Sequence, residues 1–81
     1  MKLPRDLSGE NLARLLRRFG YEITRQTGSH MRLTSKIKNR ENHLTIPAHK
    51  QLSVGTLAQI LADAVSYLEI TKEQLSEDLF G

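Results

Sequence analysis

Apolar residues near the start of the chain recur at the spacing of an α-helix. One helical face carries Leu12, Leu15, Leu16 and Phe19, at positions i, i+3, i+4 and i+7. Ser8 is a suitable cap for the start of this helix and Gly20 a stop for its end, so we expect a helix over residues 9–19. The opposite face carries Arg14, Arg17 and Arg18, which fit either an ordinary solvated surface or a contact surface.

Two segments with the composition of β-strands follow. Residues 21–26 are rich in strand-forming side chains, and residues 30–35 alternate between apolar and polar, with Met31 and Leu33 on one face. Between them, residues 27–29 form a predicted turn in which Gly28 is free to take a positive φ.

The length of this turn decides which face of the sheet each side chain occupies. We expect a three-residue loop, because it pairs Gln26 with His30 and Ile23 with Leu33, which puts both apolar residues on one face. A two-residue loop would turn Ile23 toward the polar face instead. In the favoured register, His30 lies on the face away from the core, where a ligand can reach it.

The rest of the chain predicts one more strand and two helices. Residues 43–47 form a strand that ends at Pro47, which cannot donate to the sheet, and the basic residues 36–42 form the loop before it. Ser53 is a suitable cap for a second helix. The apolar residues of that helix, again at helical spacing, are Leu57, Ile60, Leu61, Ala64 and Leu68. Residues 71–74 fit a capping box for a short acidic helix that ends near Leu79.

The predicted order is therefore α-β-β-β-α with a short extra C-terminal helix. Two amphipathic helices on one face of a three-stranded antiparallel sheet give a two-layer α+β fold, and the other face stays open with His30 and Arg32 on it. The double-stranded-RNA-binding domain has the same element order, which is a likeness in fold and does not by itself indicate function. Residues 1–81 suffice for a single domain with a modest core, so we expect a substrate to bind on the surface.

Basic residues are concentrated in the first part of the chain. Eleven Lys and Arg against four Asp and Glu give residues 1–50 a net charge of +7, while one Lys against five acids gives residues 51–81 a net charge of −4. This asymmetry favours a polyanion-binding region followed by an acidic tail, although an ordinary solvated surface accounts for it equally well.

Several classes of protein are disfavoured by what the sequence lacks. The chain has no cysteine, which excludes disulfides and thiolate metal sites. No apolar run is long enough to span a membrane, and the first residues lack the apolar stretch of a secretory signal. We therefore expect a cytoplasmic protein without membrane contact.

His30 is the strongest candidate for chemistry. Histidine is the side chain that titrates near neutral pH without perturbation, and a glycine turn and a strand both restrain this one. Cleaving RNA requires removal of a proton from a ribose 2′-OH and protonation of the leaving oxygen, and histidine can serve in either role. Arg25 and Arg32 are placed to neutralise the developing charge. The alternative is that His30 is simply a hydrophilic residue at a strand start, and these residues leave both interpretations open.

The other histidines have less defined settings. His49 and Lys50 precede the second helix, whose free N–H groups favour a phosphate, so we assign them to phosphate positioning or else to a loop packed on its own helix. His43 begins the third strand on the open face, where it would approach His30 if the strands are neighbours. We expect His43 to be mostly structural. No histidine has a carboxylate or cysteine at ligand spacing, so no metal site is predicted.

Four short segments, taken together, resemble a known family. They are Leu3-Pro4-Arg5, Arg25-Gln26-Thr27-Gly28-Ser29-His30, Ile46-Pro47-Ala48-His49 and Gly55-Thr56-Leu57. In this order and spacing they are similar to the HicA family, the small RNA-cleaving toxins of bacterial and archaeal HicA–HicB toxin–antitoxin systems. The resemblance covers a core of about residues 3–68, most of the chain.

The resemblance implies a double-stranded-RNA-binding-like fold and an endoribonuclease that cleaves mRNA without a metal or cofactor. It also implies neutralisation by a HicB-type antitoxin that covers the active face. The family's catalytic histidine corresponds to His30. The expected RNA-binding residues are Arg25, Gly28, Ser29, Arg32, His49 and Lys50. The acidic extension, residues 69–81, is longer than the family core requires, and it would dock the antitoxin, form a homodimer contact or complete the core.

Two other functions are compatible with the same residues. A non-catalytic RNA-binding module would keep the basic half and the fold but need no histidine, and it would bind RNA in a salt-sensitive way without producing new RNA ends. A protein-interaction domain would use the arginine face and the acidic tail for a partner, and would show no RNA affinity at moderate salt.

Overall fold

The computed structural model describes residues 3–81 as helices packed on one antiparallel sheet. The elements are α1 (Gly9–Leu15), a turn of 3-10 helix (Leu16–Phe19), β1 (Glu22–Thr27), β2 (His30–Ser35), β3 (Asn42–Pro47), α2 (Val54–Leu68) and α3 (Lys72–Phe80). The sheet has the order β1-β2-β3, so β2 is the central strand. The predicted α-β-β-β-α arrangement with an extra C-terminal helix is confirmed.

Each of the three α-helices begins at the side-chain cap that the sequence predicts. The Ser8 hydroxyl accepts from the Asn11 N–H at 3.1 Å, and the Ser53 hydroxyl accepts from the Thr56 N–H at 3.1 Å. At α3, Thr71 and Gln74 form a reciprocal capping box. These bonds satisfy N–H groups that have no partner within the helix.

The first helix is not uniform, contrary to the prediction of one helix over residues 9–19. Its α-helical part ends at Leu15, and the last turn tightens to a 3-10 helix, as helix ends often do. Gly20 then reverses the chain at φ 80°, a value that favours glycine. After this tighter turn, the Tyr21 N–H donates to the Leu16 carbonyl at 3.3 Å, and the Tyr21 side chain is buried in the core.

The hairpin turn contains two residues, Gly28 and Ser29, so the predicted three-residue loop is wrong. Thr27 pairs with His30, and Gln26 pairs with Met31 rather than with His30. Gly28 has φ 55°, as the first loop position of a two-residue type II′ turn requires, and glycine adopts this conformation without strain.

A β-bulge at Thr24 restores the apolar pairing that the shorter turn would otherwise break. Arg25 lies opposite Arg32, as the two-residue turn sets it. The register then shifts between Arg25 and Ile23, so Ile23 lies opposite Leu33, as the sequence predicts. An extra residue in one strand offsets its alternation by one position. Thr24 and Arg25 consequently both border a groove on the sheet face away from the helices.

One hydrophobic core fills the space between the sheet and the helices. Its fully buried side chains include Leu12, Leu16, Tyr21, Met31, Leu33, Leu44, Ile46, Leu57, Leu61 and Leu75. The acidic helix α3 belongs to this core, because Leu75 and Leu79 are buried and Arg18 Nη1 donates to the Asp78 carbonyl at 2.6 Å. Of the roles considered for residues 69–81, completing the core is therefore the one that the packing supports. Among residues 3–81, no helix has the length and apolar character needed to cross a membrane.

Two tyrosines fasten the loop between β2 and β3 to the core. The Tyr67 hydroxyl accepts from the Lys38 N–H at 3.0 Å and donates to the Arg40 carbonyl at 2.7 Å. The Arg40 guanidinium lies 5.7 Å from the centre of the Tyr67 ring, within range of a cation–π contact. Asn42 Nδ2 donates to the Tyr21 hydroxyl at 2.7 Å. These contacts hold the loop against the core and so help to fix the register in which β3 pairs with β2.

We predict that Gly9→Ala destabilises the fold by about 1–3 kcal/mol, the usual cost of overpacking. A Cβ at Gly9 would overlap the Pro47 carbonyl oxygen and press on the backbone at Ala48. The matched control is Gly55→Ala in α2, because a Cβ there meets nothing within 4 Å. This control should be neutral or stabilising by up to about 1 kcal/mol, through helix propensity. Urea unfolding measures both, and equal effects would contradict the close contact at Gly9.

We predict that stability falls more steeply above pH 10 in the wild type than in Tyr21→Phe. Burial raises the pKa of Tyr21, only partly offset by the hydrogen bond from Asn42. The unfolded chain ionises near its ordinary value of about 10, so Tyr21 supports folding fully below that pH and progressively less as the pH rises toward the folded pKa. Between the unfolded and the folded pKa, the ionisation of Tyr21 lowers the free energy of unfolding by up to about 1.4 kcal/mol per pH unit. Parallel pH profiles for the two proteins would refute a raised Tyr21 pKa.

Candidate functional site

His30 stands at the first position of the central strand, immediately after the Gly28–Ser29 turn. Its side chain is exposed, whereas Met31 and Leu33 on the same strand are buried. Strand alternation therefore puts His30 and Arg32 on the open face, as the sequence predicts, even though the turn is one residue shorter. The backbone is held on both sides, because His30 pairs with Thr27 of β1 and with Pro47 of β3.

Backbone hydrogen bonds bring a second histidine segment to the same end of the sheet. The Ser29 carbonyl accepts from the Ala48 N–H at 2.6 Å, and the His49 carbonyl accepts from the Gly9 N–H at 2.9 Å. His49 follows the strand partner of His30, Pro47, by two residues. The Gly28–Ser29 turn, the start of α1 and the segment after β3 are thereby fastened together with both histidines exposed.

The loop that carries His49 and Lys50 is hydrogen-bonded to the N-terminal segment. The Leu52 N–H donates to the Leu7 carbonyl at 2.8 Å, and Gln51 Nε2 donates to the Arg5 carbonyl at 2.6 Å. Lys50 is exposed, and the first turn of α2 begins four residues later at Val54. Gly55 leaves open space in that turn, which suits the close approach of a phosphate.

Arg25 and Arg32 face each other directly across β1 and β2 on the open face. Both are exposed, and neither forms an ion pair with any residue in the range 3–81. Like charges on opposite strands destabilise a sheet unless a counter-ion compensates them. The pair therefore creates an uncompensated positive patch beside His30.

His43 lies far from His30, which corrects the expectation that the two approach each other. The strands are neighbours, but His30 pairs with Pro47 while His43 pairs with Thr34. These positions are four residues apart along β2, a distance of about 13 Å at the usual rise of a strand. Instead, His43 Nδ1 is hydrogen-bonded to the Thr34 hydroxyl at 2.8 Å, and Nε2 lies 3.4 Å from a carboxylate oxygen of Glu41.

A polar cluster surrounds His43 and was not predicted from the sequence. The Thr24 hydroxyl is hydrogen-bonded to that of Thr34 at 2.8 Å and lies 3.3 Å from the Arg32 carbonyl. This contact depends on the bulge, which no local sequence signal announced. Only the alternation of residues 30–35 indicated that Thr34 faces outward. Thr34 is nevertheless buried, because Thr24 and His43 cover it.

The three arginines of the first helical segment have separate environments. Arg14 and Arg17 line a groove between α1 and β1 together with Ile23 and Gln26, and Arg14 Nη1 donates to Asn11 at 3.2 Å. Arg18 instead holds α3 in place. Within residues 3–81, no three His, Asp or Glu side chains come together in a way that would hold a metal ion.

Comparison with known families gives one match. A family model for the HicA toxin of bacterial toxin–antitoxin systems matches residues 9–65. The matched region begins with α1, contains the whole sheet and the turn before His30, and ends within α2. Searches of curated proteins and of solved structures find no match. Since the family model spans well over half of the chain, the protein belongs to the HicA family of toxins from bacterial toxin–antitoxin systems.

Proposed function

We propose that this toxin is an endoribonuclease that cleaves mRNA, with His30 as the proton-transferring group. The observation that carries the proposal is the exposed His30 beside two unpaired arginines, in a chain of the HicA family. A toxin with this activity stops growth by destroying messages, and few cleavages per message are sufficient.

The proposed reaction uses the ribose next to the cleaved bond. His30 accepts the proton of the 2′-OH as the O2′–P bond forms and the P–O5′ bond breaks, O5′ takes a proton from solvent as it leaves, and His30 then releases its proton to solvent. This yields a 2′,3′-cyclic phosphate and a 5′-OH end, and it consumes no water, metal or cofactor. One imidazole cannot give and take a proton at the same instant, so we expect slow turnover. His43 is too distant to assist, whereas His49 belongs to a segment bonded to the same turn.

The remaining residues of the site bind the RNA backbone in this proposal. Arg25 and Arg32 stabilise the crowded phosphate, as preorganised cations do where negative charge develops. Gly28 and Ser29 form a narrow turn that lets the backbone approach His30. His49 and Lys50, near the start of α2, hold a neighbouring phosphate.

The family also implies a partner. We propose that a HicB-type antitoxin neutralises this protein by covering the open face around His30. Because that face holds both the histidine and the unpaired arginines, one bound protein would block access of RNA to all of them.

We predict that His30→Ala lowers the rate of RNA cleavage by about 10²–10⁴-fold, the usual contribution of a general acid or base. The measurement is the appearance of new ends on a labelled single-stranded RNA, with EDTA present in a parallel reaction. His30 is exposed, so its removal should leave the unfolding free energy within about 0.5 kcal/mol of the wild type. Lys72→Gln on α3 is the control and should cleave normally.

Three results would count against the proposal in different ways. Equal cleavage by wild type and His30→Ala removes His30 from the mechanism. Loss of cleavage in EDTA contradicts a metal-independent reaction. Salt-sensitive RNA binding without new ends identifies the alternative, a non-catalytic RNA-binding module.

We predict that expression of the wild-type chain arrests bacterial growth and that expression of His30→Ala does not. Co-expression of the proposed HicB-type antitoxin should restore growth, because it would cover the site. An antitoxin from an unrelated system is the control and should not rescue. Arrest by His30→Ala at the same protein level would separate toxicity from the proposed chemistry.

A further inference from the structure

We propose that Lys36 and His43 form a second phosphate site for RNA, which the Glu41 carboxylate occupies in the free protein. The site lies on the open face at the end opposite His30. The inference rests on the proposed ribonuclease function and extends it, because it gives the substrate backbone a direction across the sheet.

The side chains of Lys36, just after β2, and His43, in β3, both approach the carboxylate of Glu41. Lys36 Nζ lies 3.7 Å from Glu41 Oε1, and His43 Nε2 lies 3.4 Å from Glu41 Oε2. Carboxylate and phosphate oxygens accept from the same donors with similar geometry. Glu41 therefore marks where an anion sits between Lys36 and His43.

The His43 ring is oriented for this role by the threonines. The Thr34 hydroxyl bonds to Nδ1, and the Thr24 hydroxyl bonds to that of Thr34. When Thr24 donates to Thr34 and Thr34 donates to Nδ1, the ring proton is on Nε2, which faces Glu41. When His43 is protonated on both nitrogens, the hydroxyls reverse and Thr24 donates to the Arg32 carbonyl, 3.3 Å away. Nε2 presents an N–H to the anion in both states.

A groove joins the second site to the arginine pair. Its volume is about 300 Å³, and its walls include Arg25, Arg32, Lys36 and His43. The arginines lie between His30 and His43 in the strand register, so the positive charges continue along the face. Along β2, His30 and the strand partner of His43 are about 13 Å apart, so a phosphate at Lys36 and His43 would be a different phosphate of the same strand from one at His30.

Glu41 is placed so that RNA can displace it. Its side chain is 53% exposed, and the residue lies in the loop before β3, outside the sheet. Exposed ion pairs contribute little to stability, so exchanging the carboxylate for a phosphate costs little. The bond of the Tyr67 hydroxyl to the Arg40 carbonyl keeps the loop backbone in place while the side chain moves.

The test is the affinity for a short labelled single-stranded RNA, measured in a His30→Ala background so that no cleavage intervenes. Glu41→Gln should tighten binding several-fold. Lys36→Gln and His43→Gln should each weaken it, and Lys36→Gln should reduce the slope of log K against log salt by about 0.7. Glu73→Gln and Lys72→Gln on α3 are the matched controls for net charge and should have smaller effects.

Combined variants separate competition at the site from a general change of charge. If Glu41 competes with phosphate for Lys36 and His43, the gain from Glu41→Gln should disappear in the Lys36→Gln, His43→Gln double variant. A gain that persists there, or that equals the gain from Glu73→Gln, overturns the site. Stronger binding of an acidic peptide than of RNA of equal charge would also overturn it, by pointing to a protein ligand.

The outcomes distinguish this site from the proposed function. If the wild type cleaves RNA through His30 but Lys36→Gln and His43→Gln bind like Lys72→Gln, the second site is wrong and the ribonuclease proposal stands. If Glu41→Gln tightens binding as expected but no His30-dependent cleavage occurs, the site stands and the protein binds RNA without cutting it. If no variant binds RNA, both proposals fail.

Discussion

The alternation of side chains along the central strand is the constraint on which the core and the candidate site both depend. Met31 and Leu33 fill the core between sheet and helices, and their burial forces His30, Arg32 and Thr34 to the other face. A slip of one residue would bury Arg32 and expose Leu33, at the cost of both a desolvated charge and lost apolar burial. The free energy that holds the core together therefore also keeps His30 in solvent.

The β-bulge reconciles this constraint with a tight turn. A two-residue loop suits Gly28, but alone it would put Ile23 on the wrong face, and the unpaired Thr24 corrects the offset. The bulge has a chemical consequence, because it turns Thr24 toward the open face beside Arg25, which the two-residue turn already sets opposite Arg32. The hydroxyl that supports Thr34 is therefore a product of the extra residue, whereas the two-residue turn sets the Arg25 guanidinium opposite Arg32.

Helix caps and buried faces, which depend on local side-chain chemistry and spacing, could be predicted from the sequence. Features that depend on the register between strands could not. The caps at Ser8, Ser53 and Thr71 follow from single side chains, and the apolar spacing predicts the buried faces. A three-residue turn and a two-residue turn with a bulge both set Ile23 opposite Leu33, so alternation cannot tell them apart. Alternation also predicts the face of the sheet on which His43 lies. The position of His43 along that face depends on its pairing with Thr34, which alternation does not determine.

The two ends of the open face compensate their positive charge differently. Arg25 and Arg32 face each other across the strands and form no ion pair within residues 3–81, so a polyanion relieves their repulsion on binding. Lys36 and His43 already contact the Glu41 carboxylate. The binding free energy of a second anion there is therefore reduced by the free energy of the contacts that Glu41 gives up. An anion that reaches the arginines alone leaves Glu41 in place. In the proposed binding mode, a strand whose phosphates span the face would displace Glu41 as well and gain contacts at both ends, which a small anion would not.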